Sequence, residues 1–324
     1  MTSYSTYHMI EWQLSCPYCN QLLSTIPGVY YCTKCGRQFP LTNGVVRFLE
    51  KTDKFYENRY PPDTNKFSPD ERTLWGKILL YLVSMHYFWY VNKYIPKGSK
   101  IMDLAGGGGM VFLTKGWHTI GLEVATHSVN NMATVYELAL QANALKIPLA
   151  DKTLDAVVSR FFFEHITLPL KSKLLAECFR VLKPGGWFIT LQDCECNNWL
   201  WRWAKRDKAM FQKQFIENDG HYGLAYASEN LHLLRDAGFK VHKYYAYNKT
   251  PFVSLSMLEC MQPYRSKSYM ASLLLHMASW IYRNRLLNTI YTFGLTILDD
   301  FVERILPLDR ARYLLTICRS SEKR

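Results

Sequence analysis

Four consecutive glycines at residues 106–109 constrain the fold of this 324-residue chain more than any other feature. They follow an apolar segment, residues 100–104, that is typical of a buried strand, and the sequence becomes compatible with a helix at Met110. Glycine accepts backbone angles that other residues avoid and lets a ligand approach the main chain. The pattern predicts a strand, a tight turn and a helix that bind a cofactor. The alternatives are a dinucleotide-binding turn and a turn that binds nothing.

An acidic residue after the next predicted strand narrows the choice of cofactor. Glu123 lies 20 residues after Asp103 and directly follows the strand predicted at residues 119–122. A carboxylate at this place can accept hydrogen bonds from both hydroxyls of a ribose. Glu123 alone would more often be a surface carboxylate, but its spacing favours the ribose. Four further segments follow in order, at residues 142–149, 155–159, 162–166 and 177–190.

In this order, the segments between about residues 101 and 191 resemble class I S-adenosylmethionine (SAM)-dependent methyltransferases of the broad type 11 group. The resemblance implies an α/β fold with a Rossmann-like sheet of seven strands and SAM as cofactor. The sequence departs from the family pattern at Ala105, where glycine is usual, and at Asn143, where aspartate is common. Alanine fits if it keeps an ordinary backbone angle, and an amide oxygen can still accept a hydrogen bond from the adenine amino group.

The resemblance also assigns the cofactor-binding residues. Glu123 would hold the ribose, and Phe161, at the end of the fourth strand, would lie beside the sulfonium. The residues implied around the methionine moiety and the sugar are Asp103, Ala105, Gly106, Gly107 and Gly109, and those at the adenine are Val124, Asn143 and Ala144.

Methyl transfer from a sulfonium is an in-line displacement, so the protein must align the reactants, exclude water and, for a hydroxyl acceptor, remove a proton. A base is expected at the carboxyl ends of the strands, where open α/β sheets bind ligands. We predict His165, Asp193 and His221 as the catalytic candidates. A structural role that orients the following helix is favoured for His165, since a lone histidine is weak evidence of catalysis. For Asp193, a substrate role and a structural role are balanced.

Two Cys-x-x-Cys pairs near the N-terminus predict a metal site, and Pro27 and Gly28 between them favour a hairpin. Four sulfur ligands leave no open position, so a bound Zn²⁺ would be structural and would supply folding energy. A pair of redox-active dithiols is the alternative. Residues 1–50 resemble the N-terminal zinc module of bacterial ribosomal RNA guanine methyltransferases. The predicted ligands are Cys16, Cys19, Cys32 and Cys35.

The net charge of +12 is concentrated in the second part of the chain, because residues 201–324 hold 19 Lys and Arg against 11 Asp and Glu. This excess fits RNA, an acidic membrane surface, a phosphorylated small molecule or a solvated basic surface equally well. No stretch reaches the roughly 18 apolar residues of a transmembrane helix, and residues 1–11 lack the apolar core of a secretory signal. We therefore expect a cytoplasmic protein with reduced thiols, for which peripheral membrane contact stays open.

Three functions are compatible with these features. We favour a methyltransferase for a small molecule, a glycan or a lipid-linked intermediate; an RNA base methyltransferase and a non-catalytic scaffold with a relict cofactor domain are the alternatives. The oligomeric state is open.

The predicted organisation is a zinc ribbon at 1–50, a linker with an aromatic lid helix at 51–95, a SAM-binding core at 96–250 with an insertion at about 197–226, a helical insertion at 251–308, and the last strand with a tail at 309–324.

Overall fold

The computed structural model describes residues 12–50, 54–59 and 64–321. The chain forms two compact units. The first comprises Met1–Phe67, Lys97–Val157 and Arg180–Lys183, and the second comprises Ser68–Pro96, Val158–Phe179 and Pro184–Arg324. The first unit therefore contains both the cysteine pairs and the glycine run.

The described residues form strands and helices throughout both units. The strands are β1 (Ser24–Ile26), β2 (Val29–Tyr31), β3 (Gln38–Thr42), β4 (Val45–Arg47), β5 (Lys100–Leu104), β6 (His118–Glu123), β7 (Leu138–Gln141), β8 (Leu154–Arg160), β9 (Leu182–Asp193), β10 (Phe239–Tyr247) and β11 (Tyr313–Ser320). The α-helices are α1 (Lys54–Arg59), α2 (Leu74–Leu82), α3 (Tyr87–Tyr94), α4 (Thr126–Met132), α5 (Leu168–Val181), α6 (Trp199–Ala204), α7 (Lys208–Phe211), α8 (Ala227–Asp236), α9 (Leu255–Cys260), α10 (Tyr269–Arg283) and α11 (Arg285–Val302).

In the first unit, seven strands follow one another in the order β1-β2-β3-β4-β7-β6-β5. β1 to β4 pair antiparallel, whereas β4, β7, β6 and β5 pair parallel. The interior residues of β5, β6 and β7 are buried, as expected for parallel strands that are covered on both faces. The predicted α/β class is confirmed.

Within the described residues the sheet has eleven strands, so the predicted number of seven is wrong. The seven expected strands are β5 to β11, and the four additional ones come from the N-terminal segment. They join because β4 aligns beside β7, with Val45 opposite Ala139 and Arg47 opposite Gln141. Val45 and Val46 are fully buried, so this pairing hides apolar side chains and also covers the hydrogen-bonding edge of β7.

In the second unit, β11 lies between β9 and β10 and is antiparallel to both. The tryptophan-rich segment at about residues 197–226 packs around Trp201, which is fully buried and contacts the rings of Phe211 and Phe215. Trp201 is therefore a core residue of this unit and is not available to stack on a ligand. Among the described residues, no helix combines the length and the apolar character needed to cross a bilayer.

The helix expected after the glycines is reduced to one 3-10 turn, Val111–Thr114. Gly116 follows with a φ of 86° and directs the chain into β6, which leaves no room for a longer helix. The glycine loop is thus connected to β6 by a short segment, and the prediction of an α-helix at this point is wrong.

The aromatic segment at residues 81–94 is not one helix. It is broken between α2 and α3, where Ser84, Met85 and His86 all have positive φ. The break buries His86 completely and brings its Nδ1 to 2.6 Å from the hydroxyl of Tyr247 in β10. Tyr90 of α3 stacks on Tyr245 of the same strand. The segment also contacts α11 through Tyr81 and Asp300, and β9 through Tyr94 and Trp187. Its role as a lid stays a prediction.

Candidate cofactor and metal sites

The turn after β5 has the backbone geometry of a ligand-binding loop. Gly107 and Gly109 have φ values of 57° and 86°, in the left-handed region that favours glycine. A Cβ on Gly106 would lie 1.9 Å from Oδ2 of Asp103, so no side chain fits there. A Cβ on Gly107 would meet no atom within 4 Å. The loop therefore presents bare main chain next to open space at Gly107.

Ala105 does not have the ordinary backbone angle under which alanine was expected to fit. Its φ is 54°, which is the left-handed conformation. This conformation costs an L-residue roughly 1–2 kcal/mol, because its Cβ crowds the following carbonyl oxygen. The Ala105 N–H donates to the carbonyl oxygen of Leu122 at 2.8 Å, which fixes the start of the loop against β6. The expectation for Ala105 is thus corrected: the loop begins on a strained residue.

Glu123 ends β6 and directs its carboxylate at the glycine loop. Oε2 accepts a hydrogen bond from the N–H of Gly107 at 3.2 Å, and Oε1 accepts from Val124 at 2.7 Å and from Ala125 at 3.3 Å. Burial raises the pKa of Glu123 in spite of these donors. Two carboxylate oxygens offer about four acceptor positions, so three backbone donors leave capacity for a ligand hydroxyl. The structure brings the predicted ribose carboxylate and the predicted loop together.

Tyr136 completes the loop, and sequence reasoning missed it. Its hydroxyl donates to Oδ2 of Asp103 at 2.7 Å and accepts from the N–H of Met110 at 2.7 Å. Its ring lies 3.4 Å from the position that a Cβ on Gly109 would take. Tyr136 therefore orients Asp103 and closes the back of the loop. It belongs to no glycine or acidic motif, so only its place before β7 could have indicated a role.

A second missed contribution comes from the segment interpreted as a linker. The Thr64 hydroxyl donates to the carbonyl oxygen of Gly108 at 3.1 Å. Asn65 donates its N–H to the carbonyl oxygen of Gly109 at 2.9 Å and accepts from the N–H of Val111 at 2.9 Å. Asn65 thus pairs with the loop as a neighbouring strand would, and this pairing helps to fix the shape of the loop.

The residues predicted at the adenine lie after β6 and β7 in the same unit. The carbonyl oxygen of Val124 accepts from Nε2 of Gln141 at 3.2 Å. Asn143 is exposed, and its Oδ1 accepts from the N–H of Leu145 at 2.9 Å, whereas Ala144 is buried. The amide oxygen of Asn143 thus already has a local donor, and its contact with an adenine stays a prediction.

Phe161 belongs to the second unit, directly after β8. It is 38% exposed and has a φ of 55°, which is a rare conformation for an aromatic residue and is found most often at functional sites. Its N–H donates to the carbonyl oxygen of Leu191 at 2.7 Å. The predicted position beside a sulfonium stays a prediction.

The four N-terminal cysteines converge on one point. Their sulfur atoms all lie within 4.8 Å of one another, with 3.6 Å between Cys16 and Cys35 and 3.4 Å between Cys19 and Cys32. Tetrahedral zinc with Zn–S bonds of about 2.3 Å needs sulfur atoms about 3.8 Å apart. The spacing therefore fits a four-sulfur metal site.

The two cysteine turns have matching backbones. The residue after each second cysteine has positive φ, 60° at Asn20 and 73° at Gly36, and donates its N–H to the first cysteine of the pair at 2.8 and 2.9 Å. The Arg37 N–H lowers the pKa of Cys35 to about 6, while burial raises the pKa of Cys16 to about 12. The predicted hairpin between the pairs is confirmed as β1 and β2, joined at Gly28.

Arg47 connects the cysteine module to the cofactor side of the first unit. It donates to Oε1 of Gln141 at 2.5 Å and to Oδ1 of Asn130 at 2.9 Å. Gln141 in turn donates to the hydroxyl of Thr126 at 3.0 Å, at the start of α4. The module is therefore held to β7 and α4 by side chains as well as by the strand pairing.

The second unit contains a buried group of ionisable side chains, which we call the polar cluster. Asp193, at the end of β9, forms an ion pair with Arg312, and its Oδ2 lies 3.9 Å from Nδ1 of His221. The ligand atoms of Glu164, His165 and His221 lie within 4.8 Å of one another. All three predicted catalytic residues thus belong to one group. Its members are Glu164, His165, Asp193, His221 and Arg312.

Burial dominates the pKa shifts in the polar cluster. It raises the pKa of Glu164 and of Asp193, although Arg312 opposes the shift at Asp193. Burial and then the Arg312 charge lower the pKa of His221 to about 2, and burial lowers the pKa of His165. Both histidines are therefore neutral near pH 7. The guanidinium of Arg312 offsets the free-energy cost of burying the Asp193 carboxylate. Sequence reasoning missed this arginine.

His165 and His221 differ in their partners. Nδ1 of His165 lies 3.1 Å from the carbonyl oxygen of Gly220, which can only accept, so this nitrogen carries the proton. The ring of His221 packs against that of His165 at a centroid distance of 5.1 Å. His165 thus fixes the turn that carries His221, and its predicted role in orienting the following helix stays a prediction.

Residues 102–190 match the family model described as a methyltransferase domain. The ubiquinone/menaquinone biosynthesis C-methyltransferase UbiE of Haemophilus ducreyi is 36% identical over 113 residues, which is 30% of this chain and 42% of that protein. The tRNA (carboxymethyluridine(34)-5-O)-methyltransferase ALKBH8 of Mus musculus is 26% identical over 163 residues, which is 48% of this chain and 23% of that protein.

Among solved structures, the geranyl diphosphate C-methyltransferase of Streptomyces coelicolor is 13% identical with a TM-score of 0.47, and the match covers 82% of this chain and 96% of that one. The chain spans less than half the length of the curated relatives it matches. Segment 102–190 is therefore similar to methyltransferase domains.

Proposed function

We propose that this protein is a SAM-dependent methyltransferase that acts on a small molecule, a glycan or a lipid-linked intermediate. The observation that carries the proposal is the hydrogen bond between Glu123 and Gly107 beside open space on the loop. When bound, SAM supplies an electrophilic methyl group on a sulfonium. Glu123 would accept hydrogen bonds from the ribose hydroxyls. Asp103, which Tyr136 orients, would fix the loop around the cofactor. The name of the Haemophilus ducreyi relative supports a small-molecule acceptor.

We propose His221 as the group of the polar cluster that contacts the acceptor, with His165 and Asp193 as its supports. A neutral imidazole can accept a hydrogen bond from an acceptor hydroxyl. The low pKa of His221 makes it a weak base, so its role is to orient the hydroxyl and to take the proton only as the methyl group is transferred. Arg312 disfavours an imidazolium at this place and favours proton release after transfer.

The four cysteines are proposed to hold a structural Zn²⁺, because the sulfur spacing and the paired turns fit a tetrahedral site. Purified protein should contain one zinc per chain by elemental analysis. Cys19→Ser should lose the metal, whereas Cys260→Ser, which alters a cysteine outside the cluster, should keep it. Stoichiometric zinc in Cys19→Ser would contradict the proposal.

The cofactor proposal is tested by titrating SAM into Glu123→Gln. The amide keeps the side-chain shape but replaces one acceptor oxygen with a donor facing backbone N–H groups, so SAM should bind about 10- to 100-fold more weakly. Glu137→Gln, at a partly exposed carboxylate in the same unit, serves as the matched control and should bind like the wild type. Equal SAM affinity in the two variants would contradict the ribose role.

An RNA acceptor is the second candidate, favoured by the tRNA-modifying relative and by the basic residues 201–324. Labelled methyl transfer from SAM should be compared on total RNA and on a glycolipid and small-molecule extract. RNA binding that weakens steeply with added salt, together with label in RNA, would replace the first candidate. SAM binding without transfer to either fraction would support a scaffold role.

A further inference from the structure

The two longest helices of the second unit, α10 and α11, expose apolar side chains on the face where polar side chains are expected. The exposed positions recur every three or four residues, as they do on one side of a helix. Trp280 of α10 is 66% exposed, and Phe301 of α11 is 74% exposed. We call residues 269–305 the apolar hairpin. Its exposed apolar side chains are Met270, Leu273, Leu274, Met277, Trp280, Leu286, Ile290, Ile297, Phe301 and Ile305.

The exposed stripes are not the packing faces of these helices. α10 buries Leu275 and Ala278 on its other side, and α11 buries Leu295 and Asp299. Asp299 accepts two hydrogen bonds of 2.9 Å from the main chain and the side chain of Asn248, which fixes the rotation of α11. The helices are therefore already anchored, and the remaining apolar stripes are a surface of the kind that binds a partner.

The part of the apolar hairpin that holds eight of its ten exposed apolar side chains is basic, which favours an anionic partner. Over the whole hairpin, Asp299, Asp300 and Glu303 balance Arg283, Arg285 and Arg304. Residues 269–298 contain Arg283 and Arg285 and no acidic residue. The first acidic residues after this stretch are occupied, since Asp299 pairs with Asn248 and Asp300 accepts from the hydroxyl of Tyr81 at 2.8 Å. A second copy of this chain that docked through residues 269–298 would bring another pair of arginines to a stretch without a carboxylate, so self-association is disfavoured there.

A basic cavity lies at the carboxyl end of α11. Its volume is about 590 Å³, and among the described residues that line it Glu303 is the only acidic one. The Lys249 ammonium donates to the carbonyl oxygens of Glu303 and Leu306, which fixes this lysine at the cavity wall. The basic lining residues are Arg235, Lys243, Lys249 and Arg304. The end of the apolar stripe, at Ile305, is thus followed directly by a site suited to phosphate groups.

We propose that the apolar hairpin docks on the surface of an anionic lipid bilayer, with the basic cavity facing the lipid phosphates. Amphipathic helices with basic and aromatic residues bind in this way, with the apolar face buried at the boundary between headgroups and acyl chains. Tryptophan and tyrosine prefer this boundary, and Trp280 and Tyr269 are both exposed. The inference does not depend on methyl transfer, because binding to a bilayer needs no SAM.

Sedimentation of the full chain with sucrose-loaded vesicles tests this proposal without any cofactor. The protein should pellet with vesicles of phosphatidylcholine and phosphatidylglycerol at near-physiological salt, and much less with phosphatidylcholine alone. Ile290→Ser/Ile297→Ser should weaken binding to the anionic vesicles at least tenfold, since two apolar side chains no longer enter the bilayer. Arg235→Gln/Lys243→Gln should weaken it about tenfold or more, since each basic residue near the surface contributes to the attraction.

Matched controls change the same residue types elsewhere in the second unit. Leu168→Ser/Leu170→Ser, at exposed leucines of α5, and Lys173→Gln/Lys213→Gln, at exposed lysines, should bind like the wild type. All variants should keep the wild-type circular dichroism spectrum, because only exposed positions are changed in the apolar set. The proposal is overturned if the vesicles do not bind the protein, if the hairpin variant binds as well as its control, or if that variant instead converts a dimer into a monomer.

Discussion

The glycine loop of the first unit and the polar cluster of the second unit are built in opposite ways. The loop is held by main-chain donors to one carboxylate, Glu123, and leaves open space at Gly107. The polar cluster is held by side chains of opposite charge, with Asp193 and Arg312 buried together. We therefore expect a substitution in the loop to weaken ligand binding while the fold stays intact. A substitution that removes one charge of the polar cluster should instead lower the stability of the protein.

The largest effect is expected when the buried ion pair is broken. Arg312→Met leaves Asp193 buried without its cation, which should lower the free energy of unfolding by about 3–5 kcal/mol. Arg310→Met, at an exposed arginine two positions away, should change it little. Urea unfolding monitored by circular dichroism measures both variants. Equal midpoints for the two would show that the pair is not the support of the cluster.

A glycine substitution in the loop should separate binding from stability. Gly107→Ala places a Cβ in the open space at a φ of 57°, and Gly98→Ala places one at a φ of 81° with no atom within 4 Å. Both variants carry a similar backbone strain of roughly 1–2 kcal/mol. Only Gly107→Ala should lower SAM affinity, by about 100-fold, since an added methyl group displaces a ligand that contacts bare main chain. Calorimetric titration distinguishes them, and equal losses would mean that strain alone is responsible.

The pH dependence of stability should report on His221. Its pKa is about 2 in the folded chain and about 6.5 when unfolded, so only the unfolded chain takes up the proton between these values. Stability is therefore lost as pH falls below about 6.5, at up to about 1.4 kcal/mol per pH unit. His221→Gln should remove about 2 kcal/mol of the difference between pH 7.5 and pH 5. His127→Gln, at an exposed histidine, should leave that difference unchanged.

The smallest effect is expected at Ala105. Replacing it with glycine relieves the left-handed strain, so Ala105→Gly should raise the free energy of unfolding by about 1 kcal/mol. The gain is partly offset because glycine is more flexible in the unfolded chain. Thermal unfolding measures the difference. Ala125→Gly, at a residue of ordinary φ in the same unit, serves as the comparison. A destabilised Ala105→Gly would refute the strain at this residue.

Local patterns predicted much of the first unit. The glycine run, the spacing to Glu123 and the cysteine pairs are short-range signals, and each of these groups comes together as their spacing indicated. The pairing of β4 with β7 could not be predicted, because it joins residues more than ninety positions apart through main-chain hydrogen bonds that carry no sequence motif. It is the reason for the wrong strand number.

The polar cluster could be predicted only in part. His165, Asp193 and His221 were each indicated by their place after a strand or before a helix, but nothing local pairs Asp193 with Arg312, which is 119 residues away. Tyr136 and Asn65 were missed for the same reason, since a tyrosine hydroxyl or a main-chain amide acquires its role only from the tertiary contact. The conformation of Ala105 was predicted wrongly because the residue type gives no sign of its φ.

Titration of SAM into the zinc-loaded wild-type protein tests the central claim, that the loop and Glu123 hold one nucleoside cofactor. Saturable binding at one site per chain, for SAM and for its demethylated product, is the predicted result. A folded protein that gives no saturable heat with SAM at millimolar concentration would contradict it.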